Sequence, residues 1–350
     1  MRTIQFLLYP VSLCYGILMM LRNWLFTAGI LRSREFKVPV ICVGNLSAGG
    51  TGKTPHIEYL IRLLSPKHLI STLSRGYKRE TKGFVLASKR STFKYIGDEP
   101  LQFARKFPDI KVAVDGNRVR GIETLLAKFP SLGAVLLDDG FQHRRISPGL
   151  SILLTDYHKM YTEDRMLPTG TLREFACSAK RADIIIVTKT PKIFSPITRR
   201  RILDDLRPQA YQTVVFSFIS YGDPLPLNDK CEHVLLPKYS YIFLFTGIAN
   251  DYPLKEQLER QCTELVRMKF RDHHPYSAED IKKITTAFDD LPSQKKVIFT
   301  TEKDIMRLKT PELLPLLKGY PVFYVPIEVC FHGEDKAVFE KIVTNFVEKA

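Results

Sequence analysis

The 350-residue chain is long enough for two ordinary domains, and its 45% hydrophobic and 25% charged residues exclude a disordered chain. A net charge of +15 suits a polyanion, an anionic membrane or a phosphorylated ligand. The basic residues are dispersed, with no compact basic run interleaved with aromatics, which argues against a nucleic-acid partner; the densest group, Arg199, Arg200 and Arg201, reads as a solvated helix face.

The chain opens on an uncharged apolar stretch, 3–21, followed by Arg22, Trp24 and Phe26. A cleaved signal peptide would need a small-residue cleavage site, and none precedes the essential motif. A spanning helix needs about 20 apolar residues, and Pro10, Ser12 and Gly16 weaken that reading. The favoured expectation is a helix over 1–30 lying in the membrane interface, with Arg22, Arg32, Arg34 and Lys37 facing anionic headgroups. The plain alternative is a helix packed on the protein's own core.

Beyond Lys37 short apolar runs alternate with helical stretches. Strands are predicted at 38–43, 69–73, 111–114, 134–137, 151–155 and 183–188, and helices at 53–64, 100–106 and 118–128. Continuous apolar strands suit a parallel sheet covered on both faces, and the βα order predicts a doubly wound α/β domain over 31–211. A second βα series is predicted from a strand at 241–246, a helix after Asp251, a helix at 278–288 and a strand at 297–300, giving a smaller α/β domain over 239–319. The β-like segments in 212–238 and 320–331 are expected to pair as a two-stranded linker, and 332–350 to end in a helix. The six cysteines Cys14, Cys42, Cys177, Cys231, Cys262 and Cys330 form no C-x-x-C pair and no metal-ligand spacing. They read as free thiols on the cytosolic, reducing side.

Between the first strand and helix stands Ser47-Ala48-Gly49-Gly50-Thr51-Gly52-Lys53-Thr54. The phosphate-loop pattern is G-x-x-x-x-G-K-[ST], and Ser47 replaces its first glycine. The physics survives that change. Gly49, Gly50 and Gly52 let backbone N–H groups turn toward phosphate oxygens, and the helix start adds its dipole. Lys53 supplies a charge for the β- and γ-phosphates, and Thr54 a hydroxyl for Mg²⁺. The metal also needs acid. The 134–137 strand ends in Asp138-Asp139-Gly140, which places two carboxylates at the carboxyl edge of a parallel sheet. A guanine-specific site would need N-K-x-D or T-K-x-D, and Thr188-Lys189-Thr190-Pro191 has proline where the acid belongs. GTP is thereby discounted, leaving an ATPase switch or a small-molecule kinase.

The motifs then become recognisable as a set. Val43-Gly44-Asn45-Leu46, running into Gly49-Gly50-Thr51-Gly52-Lys53-Thr54-Pro55, resembles the tetraacyldisaccharide 4′-kinases of lipid A synthesis. So do Leu73-Ser74-Arg75-Gly76-Tyr77, Gly97-Asp98-Glu99-Pro100, Asp115-Gly116-Asn117-Arg118, the segment Leu137 to His143, the segment Leu167 to Glu174, and Asp272-His273-His274. The resemblance is weakest over 195–238 and after Pro311.

This resemblance implies that ATP and Mg²⁺ phosphorylate the 4′-hydroxyl of a tetraacylated glucosamine disaccharide 1-phosphate at the cytoplasmic face of the inner membrane, with no obligate protein partner. It implies catalytic roles for Asp98, His273, Lys53 and Asp139. It places nucleotide phosphates on Ser47 through Thr54, and metal on Thr54, Asp138, Asp139 and Glu99. It places the acceptor on Arg75, Tyr77, Asn117, Arg118, Gln142, His143, Arg173 and Glu174. Taken alone, Asp98 reads as a helix N-cap and the Arg173-Glu174 pair as an exposed ion pair. His273 and the adjacent His274 compete for the place beside Asp98, in an Asp–His pair that would join the two domains and require their closure. A membrane-associated ATPase switch with no small-molecule acceptor is the alternative from another class.

Overall fold

The structure is a computed structural model, and it describes residues 2–228 and 238–349. Cys231, and part of the linker expected over 212–238, therefore lie outside the described residues. In chain order the strands are β1 Val40–Asn45, β2 Ile70–Ser74, β3 Val85–Leu86, β4 Lys111–Val114, β5 Ala134–Asp138, β6 Leu150–Asp156 and β7 Ile184–Thr188. They continue as β8 Thr213–Tyr221, β9 Leu225–Pro226, β10 Tyr239–Thr246, β11 Cys262–Lys269, β12 Lys296–Thr301, β13 Val322–Val325 and β14 Ile327–Phe331. The α-helices are α1 Arg2–Thr27, α2 Lys53–Leu64, α3 Phe93–Ile96, α4 Asp98–Lys106, α5 Arg118–Lys128 and α6 Pro196–Leu206. Then come α7 Tyr252–Glu259, α8 Ala278–Asp289, α9 Glu302–Leu308, α10 Leu314–Leu317 and α11 Asp335–Glu348.

The chain divides into two compact units. The first runs to Ile219 and resumes at Val329; the second is Ser220–Glu328. The first holds a nine-stranded sheet in the order β14-β8-β7-β6-β1-β5-β2-β4-β3. The β4-β2-β5-β1-β6-β7-β8 run is parallel, and the short β3 is paired antiparallel to it through β4. β1, β2, β5 and β7 are buried at every position, as expected of strands covered on both faces. Ile57, Leu60, Ile61 and Leu64 of α2 pack with Phe339 and Val343 of α11 over one part of the sheet. Leu125 and Ile122 of α5 cover Leu73, Val135 and Leu137 in another cluster. This is the doubly wound architecture that the alternating apolar runs predict.

Register aligns the carboxyl ends of the central strands. Val43 pairs Asp138, Asn45 pairs Leu154, and Asp156 pairs Thr188. The phosphate loop leaves β1 at this edge, so β5, β6 and β7 end beside it.

The second unit carries a five-stranded sheet, β11-β10-β12-β13-β9. Several of its elements went unread in the sequence, β11 and α9 among them. β11 is exposed or half-exposed along most of its length, so its polar sequence hides an edge strand. α9 is too short for periodicity to show. A correction also applies to 320–331. The segment Val322–Val325, expected in the linker, pairs β12 and β9 inside the second sheet, because Val322, Phe323 and Val325 are buried in its core. β8 and β14 are neighbours in the first sheet.

α1 presents Ser12, Gly16 and Phe26 to the first unit and most of its other apolar residues outward. Ser12 donates to Thr169 Oγ1 at 2.9 Å, and Arg22 to the Gln142 carbonyl at 3.1 Å. At Gly16 a Cβ would sit 2.5 Å from the Phe175 ring, so only glycine permits this approach. Leu13, Ile17, Leu18, Met20, Leu21 and Trp24 are exposed. Among the described residues no helix is long and apolar enough to cross a membrane. Of the four expected headgroup cations, Arg22 is engaged with Gln142 and stacks on Phe26, and Arg34 pairs with Glu123, while Arg32 and Lys37 are exposed.

Candidate active site

The loop between β1 and α2 turns at Gly52, whose φ of 87° is a left-handed conformation that glycine adopts without strain. α2 then starts at Lys53 with its first N–H groups directed at the loop. The segment carrying Leu172 lies antiparallel along the loop: Ser47 bridges Leu172, Ala48 N–H donates to the Thr171 carbonyl at 2.6 Å, and Arg173 N–H to the Leu46 carbonyl at 2.8 Å. Backbone hydrogen bonds thus hold the segment before Arg173 against the phosphate loop.

Lys53 Nζ lies 3.1 Å from Asn45 Oδ1 and 3.4 Å from Asp139 Oδ1. Asn45 went unassigned in the sequence, yet it organises the site. Its Nδ2 donates to the Ser47 carbonyl at 2.6 Å, and its own carbonyl accepts from Gln142 Nε2 at 2.9 Å. Arg173 donates to both Asp139 oxygens, at 3.2 and 3.1 Å, and lies 3.4 Å from Gln142 Oε1. Asp139 turns off β5 in a left-handed conformation, φ 52°. Burial pushes its carboxyl up, but Lys53 and Arg173 outweigh that and hold it below the usual carboxylate range.

Asp138 behaves in the opposite way. Burial, then Glu99 and Asp139, push it up to about 8, and its Oδ1 is a buried oxygen with no hydrogen-bond partner. Glu99 and Asp98 open α4, both half-buried. Gly97 occupies the cap position and Asp98 the first helical position, so Asp98 does not cap the helix, contrary to its isolated reading. Among the described residues no three acidic, His or Cys side chains form a closed metal cage.

The acceptor candidates fall into two groups. Arg118 is 3% exposed, donates to the Asp115 carbonyl at 2.9 Å, and has its Nε buried without a partner. Burial, against the pull of Asp138 and Asp139, lowers it to about 10. His143 is lowered to about 4 by burial, then by Arg118, with Arg75 also contributing. Arg75, Arg118, His143, Asp138 and Asp139 thus share one electrostatic neighbourhood. Arg75, Tyr77 and Asn117 line a cavity of about 500 Å³ together with Arg79, Asp115 and Arg120. Asn117 caps α5 by accepting from Arg120 N–H at 3.2 Å. Asp115 accepts a bidentate pair from Arg120 at 2.8 and 2.7 Å. The sequence motif stopped at Arg118, and Arg120 continues it on the next exposed position of α5.

Glu174, expected to contact the acceptor, is enclosed at the foot of α1. It is 0% exposed and accepts from Asn23 Nδ2 and Arg181, both at 2.8 Å, so its carboxylate ties α1 to the body. Both donors meet Oε2, and Oε1 is buried with no hydrogen-bond partner.

His273 belongs to the second unit. Its backbone is left-handed at φ 58°, its N–H donates to the Gly247 carbonyl at 3.0 Å, and Lys303 Nζ lies 3.1 Å from Nε2. A buried Asp304–Arg307 pair fixes Gly247 from the other side, with Gly247 N–H donating to Asp304 at 3.0 Å and Arg307 to the Gly247 carbonyl at 3.3 Å. His274 stacks on Phe270 with centroids 4.7 Å apart and meets Asp280 at 3.0 Å, inside the capping box of α8. That commits His274 to structure.

With this geometry in place, the chain can be compared with known proteins. Residues 4–348 match the family model described as tetraacyldisaccharide-1-P 4′-kinase. A tetraacyldisaccharide 4′-kinase of Parabacteroides distasonis is 45% identical, over 99% of this chain and 96% of its own length. One of Bacteroides thetaiotaomicron is also 45% identical, over 98% and 93%. The crystal structure of the "apo" form of LpxK from Aquifex aeolicus in complex with ATP superposes with a TM-score of 0.73 at 28% identity, covering 98% of this chain and 99% of that one. The chain belongs to the tetraacyldisaccharide-1-phosphate 4′-kinase family.

Proposed function

We propose that this protein transfers the γ-phosphoryl group of ATP to the 4′-hydroxyl of a tetraacylated glucosamine disaccharide 1-phosphate. Family membership and the ATP complex of the Aquifex relative support that activity. The observation that carries it is the adjacency of Lys53 and Asp139 at the mouth of the phosphate loop. In the reaction an oxygen–phosphorus bond forms at the acceptor, the bond to the β-phosphate breaks, and the acceptor proton leaves.

Residues 47–54 surround the phosphates, and Lys53 leaves Asp139 to meet the β- and γ-phosphates as charge grows on them. Asp98 aligns the acceptor hydroxyl or accepts its proton. Arg173 and Gln142 border the transferring phosphate. Arg75, Tyr77, Asn117, Arg118 and His143 hold the disaccharide and its 1-phosphate, with Arg79 and Arg120 completing the basic cavity; guanidinium forks match phosphate oxygens.

The donor set fits Mg²⁺. Asp138 has an orphaned buried oxygen beside two further carboxylates, and Thr54 opens α2. An open set is what Mg²⁺ prefers, since it keeps waters and takes one or two carboxylates plus substrate phosphates. Thr54, Asp138, Asp139 and Glu99 would hold it, and it would supply charge neutralisation on the phosphates.

The exposed apolar side of α1 lies on the cytoplasmic face of the inner membrane, where an acylated acceptor resides. A direct test is transfer of labelled γ-phosphate to the tetraacyl disaccharide 1-phosphate in detergent. Label recovered only as inorganic phosphate would refute the kinase in favour of an ATPase switch.

A further inference from the structure

Phosphate-binding loops turn N–H groups toward the ligand, so their carbonyls need donors on the opposite side. Three consecutive residues at the end of β7 organise those donors. Thr188 Oγ1 donates to the Thr51 carbonyl at 2.9 Å, the nearer of two acceptors, the Thr155 carbonyl lying at 3.2 Å. The Lys189 ammonium donates to the Gly50 carbonyl and is anchored by Asp156 Oδ2 at 2.6 Å. Thr190 donates to the Ser217 carbonyl through its N–H at 3.1 Å and its hydroxyl at 2.9 Å. Ser217 Oγ in turn meets His56 Nε2 at 3.0 Å, and His56 Nδ1 lies 2.7 Å from the Gly52 carbonyl.

The chemistry fixes the His56 tautomer. A carbonyl only accepts, so Nδ1 carries the proton and Nε2 accepts from the Ser217 hydroxyl. His56 and Thr188 are 2% and 0% exposed, so these bonds meet no water competition. In a planar trans peptide the C=O and the following N–H point opposite ways. Holding the Thr51 and Gly52 carbonyls outward therefore aims the Gly52 and Lys53 amides toward the cradle. The Thr-Lys-Thr-Pro segment, which fails as a guanine motif, reaches the Gly50 and Thr51 carbonyls directly and the Gly52 carbonyl only through Ser217 and His56.

We propose that Thr188, Lys189 and His56 are positioning residues for the nucleotide: they hold carbonyls 50–52 from behind and so set the loop's amides before a triphosphate arrives. This rests on the nucleotide-binding reading above and deepens it. Asp156 keeps the Lys189 ammonium in place.

The test uses full-length protein in detergent, with equilibrium binding of ATP and Mg²⁺ alongside kcat and both KM values. Thr188→Val keeps the shape and removes the hydroxyl, Thr188→Ser restores it, and Lys189→Met keeps the stem and removes the charge. Thr188→Val and Lys189→Met should each weaken ATP binding by about fivefold or more, the worth of one average hydrogen bond. The acceptor KM should stay within about twofold, and Thr188→Ser should bind ATP nearly as wild type does. ATP affinities within about twofold of wild type in both variants would overturn the proposal. Should Thr188→Val fail to fold, Lys189→Met decides, since that side chain is 31% exposed. Binding is read without acceptor, so a wild type that binds ATP but phosphorylates no lipid would count against the kinase reading alone.

Discussion

Lys53 Nζ and Asp139 Oδ1 stand 3.4 Å apart, the cation from the first residue of α2 and the carboxylate from the turn that ends β5. Arg173 reaches the same carboxylate from the opposite side at 3.1 Å. The pair sets opposite charges side by side, and in the proposed reaction nucleotide binding replaces their mutual contact. Lys53→Met should lower kcat by about 10²–10³-fold, the cost of removing one preorganised charge donor, with a smaller change in the acceptor KM. Steady-state kinetics with both substrates varied would check it.

Asp138 should govern metal demand. Its buried oxygen without a hydrogen-bond partner, and its affinity for a proton raised by burial and by Glu99 and Asp139, suit a ligand to a cation. Activity should vanish with chelator and return with Mg²⁺, and Asp138→Asn should raise the Mg²⁺ concentration for half-maximal activity by about tenfold or more. Titration of activity with Mg²⁺ measures this, and an unchanged requirement would remove Asp138 from the metal set.

The doubly wound fold was legible because its strands are uninterrupted apolar runs: Ile184–Thr188 can hardly be anything but a strand covered on both faces. The phosphate loop was legible because glycine spacing and a Lys-Thr pair are dictated by backbone geometry. Proximity in sequence to Arg173 says nothing about which side of a loop Glu174 faces. Arg173 meets Asp139, while Glu174 turns inward to Asn23 and Arg181. Thr188 was invisible as a functional residue because it acts on a carbonyl of a distant segment, and His56 and Asn45 because a bond to a nearby loop carbonyl leaves no mark in the sequence pattern. Val322–Val325 read as linker because a short apolar strand has no signal for which sheet it joins.

Arg181→Met should destabilise the protein by about 3 kcal/mol or more, because it leaves the fully buried Glu174 carboxylate short of its cation. Arg181→Met combined with Glu174→Leu should recover much of that loss. Denaturant unfolding of the single and double variants checks the coupling, and equal losses in both would contradict it.

His56 should contribute a pH-dependent term. Burial lowers it from 6.5 to about 4, so the unfolded chain binds a proton over that range while the folded chain does not. Its contribution is present above pH 6.5, fades as the pH falls toward 4, and amounts to about 3 kcal/mol in full. His56→Gln, which cannot titrate, should show a shallower loss of stability between those values than wild type. Parallel slopes would show that the ring is not held neutral.

His273→Ala should reduce kcat far more than ATP affinity, whereas His274→Ala should act through stability, since His274 serves the α8 cap. Equal turnover in wild type and His273→Ala would exclude a catalytic role for His273.

The chain has one tryptophan, Trp24, 57% exposed on the apolar side of α1. Its fluorescence should shift to the blue on mixing with vesicles rich in anionic lipid, and less so with neutral ones. No shift with either would detach α1 from the membrane.

The most direct measurement is transfer of labelled γ-phosphate to the tetraacyl disaccharide 1-phosphate by wild type and by Asp139→Ala, with the product's phosphorylation site located by mass spectrometry. The expected result is a bis-phosphorylated lipid carrying its new phosphate at the 4′ position, formed by wild type and nearly absent with Asp139→Ala. Label released only as inorganic phosphate, or equal transfer by both proteins, would contradict a kinase built around Lys53 and Asp139.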